Sequence, residues 1–424
     1  MTGLAASLAS GWPIYEAAEA PGGICSSYYV TSQGRKLGTS PEDGEAFRFE
    51  IGGGHWIFGG DPTILRLIRS ITPVKRYERS SAIFFPGEER FVPYPIQNHL
   101  SHLPEEVRLR ILTEMLTMPK GDPRTMAEWL EQSFGQTLTD MFFAPFHQLY
   151  TAGLWKQIVP QDGYKSPVDA ALALRGASGK TPAVGYNTGY LYPQEGLGTL
   201  AQRLAKKGQI NYCKQAARIH LDKKEVEFID GSGVHYDVLI VTLPLDKTLD
   251  MAKAEVDERP DPYTSVLVLN IGARRGPRCP NEHWLYLPDT RAGFHRVGFY
   301  SNVDESFLPA SSRANKDRVS IYVERAYTAG KKPSPEQIAA YIEATTAELK
   351  QWGFIQEVEV ADPTWVEVAY TWSWPGSRWR HKALQFLEKH DVVMVGRYGR
   401  WIFQGIADSL RDGLFVGAAL RSGD

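Results

Sequence analysis

Residues 13–25 read PIYEAAEAPGGIC: a short apolar run ends in an acid, and a pair of glycines follows. The preceding segment, residues 3–10 (GLAASLAS), has the small residues of a helix that packs on a sheet. In a dinucleotide-binding unit, a strand, a G-x-G-x-x-G turn and a helix bind the pyrophosphate, and an acid after the second strand binds the ribose. Gly3 fits the third glycine and Glu16 fits the acid, so the pattern predicts a first strand and two glycines upstream of Met1. An ordinary amphipathic N-terminal helix is the alternative, since Gly3 and Glu16 are closer together than the roughly 20 residues usual for this pattern.

The composition fits a globular protein with one large core or two coupled cores. The chain has 424 residues, of which 43% are hydrophobic, and a net charge of −2. This charge predicts no broad attraction to nucleic acid or anionic membranes, and no apolar run is long enough to span a bilayer. The three cysteines, Cys25, Cys213 and Cys279, have neither metal-binding nor disulfide spacing, which predicts a reducing, cytoplasmic location and no metal site.

Hydrophobic periodicity predicts strands and helices in an interleaved order. Residues 82–94 read as two strands joined by a turn at Pro86-Gly87-Glu88. Residues 104–150 are helical in pattern, and so are residues 335–352. A second, more antiparallel sheet is predicted from four runs: residues 266–271, 284–287, 296–301 and 319–323.

Two further apolar runs, residues 236–244 and 392–396, are typical of buried parallel strands. The second run is followed by a predicted helix over residues 408–420. The chain therefore returns several times to the domain that contains its first residues.

This layout resembles known flavoproteins. A strand, Glu16, five residues and then Gly22-Gly23 is the order found in the glutathione-reductase-like FAD proteins, where the second glycine pair lets the chain cross beside the flavin. The interleaved order is similar to that of the amine-oxidase-like flavoproteins, whose last helix, here beginning at Asp408, points its N-terminus at the cofactor.

The resemblance implies an α/β fold with α+β elements. A glutathione-reductase-like, FAD-binding Rossmann domain would be interleaved with a helical insertion and an antiparallel-sheet substrate domain. The expected boundaries are residues 1–60, 185–250 and 390–424 for the FAD-binding domain, 100–160 for the helical insertion, and 61–99 with 260–375 for the substrate domain.

Three stretches resemble the UDP-galactopyranose mutases, most of all the eukaryotic type: residues 53–55 (GGH), 91–98 (FVPYPIQN) and 284–302 (WLYLPDTRAGFHRVGFYSN). In that family the second stretch holds the uridine, which implies base contacts from Tyr94, Gln97 and Asn98. An aromatic face offers stacking, and an amide can meet a pyrimidine edge with a donor and an acceptor. A proline-broken edge strand with a buried tyrosine is the alternative.

The other two stretches imply contacts to the flavin and to a diphosphate. Gly53 and Gly54 suit close approach to the flavin ring, and His55 would lie beside it, although a lone histidine is more often a packed core residue. Tyr286 and Arg296 have the spacing of the family's diphosphate-binding tyrosine and arginine. A planar guanidinium suits paired phosphate oxygens, and a surface arginine on a strand is the alternative.

Two late positions also match the mutases. Arg397, in residues 396–403 (GRYGRWIF), would lie close to the flavin. Trp374 stands where the family has the tyrosine of a Tyr-Pro pair at the substrate.

The pattern departs from the mutases at the diphosphate. Residues 154–163 contain Lys156 where the mutases carry a second catalytic arginine in a mobile flap, and Val303 and Phe403 replace tyrosines. The phenols that would bind diphosphate are therefore lost except for Tyr286. Two arginines in the nearby SRWR segment, Arg378 and Arg380, are candidates to compensate.

Three functions remain open. The resemblance implies a reduced-FAD enzyme that interconverts the pyranose and furanose forms of a UDP-sugar through flavin N5, with Arg296, His55 and Tyr286 as its catalytic residues. An amine-oxidase or protoporphyrinogen-oxidase type of flavoprotein with an apolar substrate is the alternative, favoured by Trp372, Trp374 and Trp379. A degenerate, non-enzymatic fold is the third possibility. The sugar, the reductant and the oligomeric state are left open.

Overall fold

The computed structural model of the chain describes residues 1–119, 121–161, 168–179 and 188–421. Its strands are, in chain order, β1 (Ile14–Tyr15), β2 (Ser27–Val30), β3 (Lys36–Leu37), β4 (Phe47–Glu50), β5 (Ile57–Phe58), β6 (Val74–Glu78), β7 (Ser81–Phe85), β8 (Arg90–Pro93), β9 (Gly189–Pro193), β10 (Ile210–Asn211), β11 (Ala216–His220), β12 (Glu225–Phe228), β13 (Gly233–His235), β14 (Leu239–Val241), β15 (Tyr263–Arg275), β16 (Trp284–Tyr286), β17 (Arg296–Phe299), β18 (Arg318–Thr328), β19 (Ile355–Thr371) and β20 (Val392–Met394).

The helices lie between these strands and at both ends of the described chain. They are α1 (Thr2–Ser10), α2 (Pro62–Ile71), α3 (Glu105–Thr117), α4 (Met126–Leu138), α5 (Ala144–Tyr150), α6 (Ala170–Ala177), α7 (Leu197–Ala205), α8 (Leu245–Ala252), α9 (Tyr300–Val303), α10 (Pro335–Gln351), α11 (Trp379–Glu388), α12 (Gly396–Gly399) and α13 (Ile406–Arg421). A π-helical segment, Thr139–Phe143, joins α4 to α5.

A seven-stranded sheet, in the order β19-β15-β18-β17-β16-β7-β8, is the largest sheet of the described residues. Its pairs are antiparallel except β16 and β7. Because side chains alternate along a strand, Leu267 and Leu269 of β15 pack in the cluster with Trp352 beside α10, whereas Val266 and Val268 face the opposite side. That opposite side lines a large cavity.

Two small parallel sheets lie beside the N-terminal helix. Strand β1 pairs with β10, and β14 pairs with β20. The other edges of β1 and β14 have no partner strand in the described residues, and both strands line the same cavity. Helix α1 packs closely on α13, since a Cβ at Gly417 would lie 2.2 Å from the carbonyl oxygen of Ala6. Only glycine fits at that crossing.

Helices α3 to α5 form a layer against the β7–β8 edge of the large sheet. Helix α4 begins with a capping box, in which Thr125 and Glu128 each bind the other's backbone N–H. Ile83 of β7 packs with Phe134 and Phe143 in one apolar cluster. This cluster fixes the helical layer so that the π-helical segment and α5 reach the cavity.

Most predicted elements are present with small shifts of their ends. The predicted hairpin forms between β7 and β8, and the predicted late helices are α10 and α13. The strand predicted over residues 296–301 is wrong at its end, because the chain turns into α9 after Phe299. Strand β19 is not predicted from the sequence, because Pro363 interrupts its pattern. A proline is tolerated there since β19 is an edge strand.

Within the described ranges, no helix has the length and apolar character needed to cross a membrane. The same ranges contain no cluster of histidine, cysteine or acidic side chains that could hold a metal ion. The cysteines are unbonded: Cys25 is buried, Cys279 is partly buried and Cys213 is exposed.

Candidate active site

A cavity of about 1830 Å³ lies between the large sheet, helix α1 with the two parallel sheets, and the helical layer. Glycines 22, 23, 52 and 54, the start of α13, and aromatic side chains of α5 contribute to its wall. This volume exceeds the roughly 300–1,000 Å³ of a pocket for one small ligand. The cavity therefore has room for a large cofactor together with a substrate.

Tyr286, Arg296 and Glu324 form one row across three neighbouring strands. Arg296 on β17 lies directly opposite Tyr286 on β16 and Glu324 on β18. Residues paired in this way point to the same face of a sheet, and all three line the cavity. The register of the strands thus brings together the two residues that the sequence paired by spacing, and it adds the third.

The Arg296 guanidinium is held by a buried carboxylate. Its Nη2 donates to Glu324 Oε2 and, at 3.2 Å, to the Tyr370 hydroxyl. Burial acts to raise the pKa of Glu324, but the charge of Arg296, its hydrogen bond and the contact with His295 together outweigh burial, and the pKa falls to about 2. Glu324 is therefore ionised at neutral pH. Glu324 is not among the site residues predicted from the sequence, although a single acid directly after the apolar run 319–323 is a signal for it.

Tyr322 and Tyr370 supply phenol groups that matching along the sequence did not locate. Both line the cavity, and with Tyr286 they lie close enough to Arg296 to act on its charge. The Tyr322 ring rests on Gly298 of β17, where a Cβ would lie 2.0 Å from the ring. The expectation that Tyr286 is the sole remaining phenol near the guanidinium is thus corrected, because β18 and β19 bring in two more.

His55 lines the cavity directly after the glycine turn of residues 52–54. Burial, together with the charge of Arg397, lowers the pKa of His55 to about 4, so the ring is neutral at pH 7. Its Nδ1 is buried and has no hydrogen-bond partner among the described residues. A buried polar atom of this kind is satisfied when a bound group supplies the partner.

The turn at Gly22 and Gly23 requires glycine for two reasons. Both residues have positive φ, at 111° and 57°. A Cβ at Gly22 would also lie 2.8 Å from Ser26 Oγ and 2.9 Å from the Ala201 Cβ. The chain therefore passes here closely between α7 and the cavity.

Gly3 and Glu16 also line the cavity, as residues that bind a dinucleotide would. Gly3 lies in the first turn of α1 and Glu16 directly after β1. The Glu16 carboxylate accepts a hydrogen bond from the Ala18 backbone at 2.9 Å.

Arg397 and the start of α13 lie at the same part of the cavity. The Arg397 guanidinium donates to the Ala369 carbonyl at 3.0 Å and lies 5.5 Å from the Tyr370 ring. Gly405 and Ile406, at the start of α13, line the cavity, whereas Asp408 lies behind them and accepts from the Gly405 N–H at 3.3 Å. The positive end of the α13 dipole thus lies at the cavity, although the Gly405 N–H is itself bound by Asp408.

The predicted base-binding residues divide into two groups. Tyr94 lines the cavity with its ring centroid 4.6 Å from that of Tyr286. Gln97 and Asn98 are 1% and 0% exposed, and they lie outside the part of the cavity wall that the described residues form. Contacts of these two amides with a base stay predictions.

Trp374 likewise lies outside the described cavity wall. Its indole donates to the Pro260 carbonyl at 2.9 Å, and the Arg259 guanidinium lies 3.7 Å above its ring. Its role as a substrate contact stays a prediction.

The cations that could replace the missing arginine also lie outside the described cavity wall. Lys156, Arg378 and Arg380 are exposed. Residues 154–163 correspond to the flap that carries the second catalytic arginine in the mutases. Residues 162 and 163 of this segment lie outside the described residues.

The profile of the flavin containing amine oxidoreductase family matches residues 13–423. This chain belongs to that family. The match confirms the resemblance to the amine-oxidase-like flavoproteins, and membership implies a flavin cofactor.

Solved structures of this fold include enzymes of different chemistry. A structure of reduced UDP-galactopyranose mutase has a TM-score of 0.84 and 23% identity, covering 100% of this chain and 94% of the other. An Exiguobacterium protein assigned as a protoporphyrinogen oxidase has a TM-score of 0.69 and 14% identity, with 100% and 97% covered. Putrescine oxidase bound to putrescine has a TM-score of 0.57 and 14% identity, with 99% and 97% covered. At these identities the likeness concerns the fold.

The residues present fit the flavin that the family implies. The Gly22 turn admits no side chain, the start of α13 offers N–H groups for an anionic portion, and the His55 Nδ1 lacks a partner in the described chain. The cavity volume also exceeds what a substrate alone needs.

Proposed function

We propose that this protein is an FAD enzyme of the UDP-galactopyranose-mutase type, which interconverts the pyranose and furanose forms of a UDP-sugar. The observation that carries the proposal is the position of Arg296. Its guanidinium lies in the cavity between the phenols of Tyr286, Tyr322 and Tyr370. An arginine surrounded by hydroxyl donors suits a diphosphate leaving group.

The flavin would be held along one side of the cavity by residues of α1, α13 and the two glycine turns. Gly22, Gly23 and the turn at 52–54 would let the backbone approach it, Glu16 would accept from the ribose hydroxyls, and Arg397 would lie near the ring. When bound and reduced, it supplies the nucleophile for the anomeric carbon, so this reaction requires no nucleophilic side chain.

The side chains of the protein would control charge around the reacting sugar. Arg296 and Tyr286 would bind and orient the diphosphate and stabilise the charge that develops as it leaves. His55 is neutral at pH 7, so it would take part as a hydrogen-bonding group and not as a cation.

The helical layer would exclude water from the same region. Phe142, Phe146 and Tyr150 stack successively along the π-helical segment and α5, and each lines the cavity. A reaction that breaks and remakes a glycosidic bond to a diphosphate needs this exclusion, because water would otherwise capture the sugar.

The test is turnover of UDP-galactose by the flavin-loaded protein after reduction with dithionite. A furanose product is expected from the wild type, and a rate at least about 100-fold lower is expected from Arg296→Ala. Arg400→Ala, which removes a partly exposed arginine paired with Asp412, is the matched control. Absence of a furanose product with every UDP-sugar tested would contradict the proposal.

A second function is an amine-oxidase or protoporphyrinogen-oxidase type of reaction on an apolar substrate. The aromatic wall of the helical layer supports it, and so does the pairing of Arg296 with Glu324, which cancels part of the positive charge. This function predicts rapid bleaching of the oxidised flavin by an amine or a porphyrinogen under anaerobic conditions. It also predicts that UDP does not bind.

A further inference from the structure

The pairing of Arg296 with Glu324 has a consequence for any anion in the cavity. Both residues line it, and they face each other across β17 and β18. The side chain of Glu324 is 3% exposed and that of Arg296 is 21% exposed. The carboxylate is therefore more enclosed than the guanidinium beside it.

Glu324 is restrained on more than one side. Its Oε2 accepts from Arg296 Nη2, and His295 Nε2 lies 3.6 Å from the same oxygen. Its Oε1 is buried, and a Cβ placed on Gly53 would lie 3.0 Å from it. The glycine turn beside His55 thus leaves space for this carboxylate, which has little freedom to move away from Arg296.

The charges of this region nearly cancel at the arginine that faces the substrate. Arg296 and Glu324 together carry no net charge, and His295 is neutral because burial lowers its pKa. Arg397 also lines the cavity, and no ion pair of its guanidinium is found within the described residues. An anion that contacts Arg296 is consequently also repelled by the carboxylate that is paired with it.

We propose that Glu324 is a positioning residue that aims the Arg296 guanidinium into the cavity and, by cancelling its charge, limits how tightly the cavity binds a diphosphate. The inference rests on the proposed function, because it takes Arg296 as the contact of the anionic leaving group. A limited affinity suits a reaction in which the diphosphate leaves the sugar and returns, since tight binding of the ground state adds nothing to turnover.

The experiment is calorimetric titration of the flavin-loaded protein with inorganic pyrophosphate and, separately, with UDP. Glu324→Gln keeps the shape and one acceptor while removing the charge, and it is expected to bind pyrophosphate at least about fivefold more tightly than the wild type. Glu324→Asp keeps the charge but moves it away from Arg296, because the side chain is one methylene shorter. Its affinity for pyrophosphate is therefore expected to lie between those of the wild type and Glu324→Gln. A purely structural role would weaken binding in both variants.

Glu348→Gln is the matched control. Glu348 is also a buried glutamate, but it binds the backbone N–H groups of Arg291 and Ala292 beside α10. The Glu348→Gln protein is therefore expected to bind pyrophosphate with the affinity of the wild type. If Glu324→Gln does not fold, Glu324→Asp provides the test, and it is expected to bind pyrophosphate more tightly than the wild type. Equal or weaker binding of pyrophosphate by the folded Glu324 variants, or no binding by any protein, overturns the inference.

The pyrophosphate titration and the UDP-sugar turnover assay together separate this inference from the proposed function. A gain in pyrophosphate affinity without any UDP-sugar turnover would retain the role of Glu324 and reject the mutase activity. Turnover of a UDP-sugar with no gain in pyrophosphate affinity would retain the mutase activity and reject the role of Glu324.

Discussion

The hydroxyl of Tyr322 occupies the space that a side chain at Gly54 would fill: a Cβ at that glycine would lie 2.1 Å from the phenol oxygen. Strand β18 and the glycine turn before His55 therefore fit together at one point of the cavity wall. Because Tyr322 also lies near Arg296, this contact links the turn beside the expected flavin with the expected diphosphate site.

Gly54→Ala is expected to displace Tyr322 and reduce the activity of the enzyme. The new methyl group has no free space, so overpacking is expected to cost about 1–3 kcal/mol in the free energy of unfolding. Urea unfolding and turnover of the reduced protein measure the two effects. Gly87→Ala is the control, because a Cβ at Gly87 meets nothing within 4 Å and its backbone angle is ordinary. Unchanged stability and turnover in Gly54→Ala would refute this account of the contact.

Arg296→Met is expected to destabilise the fold because it leaves the Glu324 charge buried without its partner. A loss of about 3–5 kcal/mol is expected from urea unfolding. The double variant Arg296→Met, Glu324→Gln is expected to recover at least about 1 kcal/mol of that loss, since the buried charge is then gone.

The Arg274–Asp317 ion pair provides the comparison for that cycle. Its side chains are 40% and 35% exposed. Arg274→Met is therefore expected to cost no more than about 1 kcal/mol. Equal losses of unfolding free energy in Arg296→Met and Arg274→Met would show that burial does not determine how much the Arg296–Glu324 pair contributes to stability.

The stability of the protein is expected to fall as the pH drops from about 6.5 to about 4. Burial lowers the pKa of His55, His147 and His283 to about 4 in the fold, with the Arg397 charge adding to the effect at His55. Between those values the unfolded chain binds protons that the folded chain does not, so the stabilisation present above pH 6.5 is lost on acidification.

Urea unfolding at pH 7.5, 6 and 4.5 measures this dependence. His283 Nδ1 is hydrogen-bonded to the Tyr190 hydroxyl at 2.8 Å, and His283 lies outside the described cavity wall. His283→Gln is therefore expected to lower the slope without affecting the cavity. A slope that is unchanged in this variant would exclude His283 from the acid sensitivity.

Gly22→Ala is expected to reduce the flavin content of the purified protein by more than about half. It forces a side chain into a positive-φ position and against Ser26 and Ala201. The ratio of flavin to protein absorbance measures the effect. Gly34→Ala separates the two causes, because Gly34 also has positive φ but lies in open space. Full flavin content in Gly22→Ala would rule out close passage of this turn beside the cofactor.

Local sequence patterns were enough to predict most strands and helices and several residues of the cavity wall. The glycine turns, the apolar strands and the late helix follow from local backbone and burial requirements, which spacing along the chain records. Tyr286 and Arg296 lie opposite each other because a short antiparallel connection separates them, so their distance in sequence fixes their register.

The surroundings of Tyr286 and Arg296 depend on contacts between strands that are distant in the sequence. Glu324, Tyr322 and Tyr370 come from strands far along the chain, and their place beside Arg296 depends on the order and register of β17, β18, β15 and β19. Likewise, the burial of Gln97 and Asn98 outside the described cavity wall depends on packing under the helical layer. Pairing between strands distant in sequence is set by which faces must be buried together, and one strand's own pattern does not contain that information.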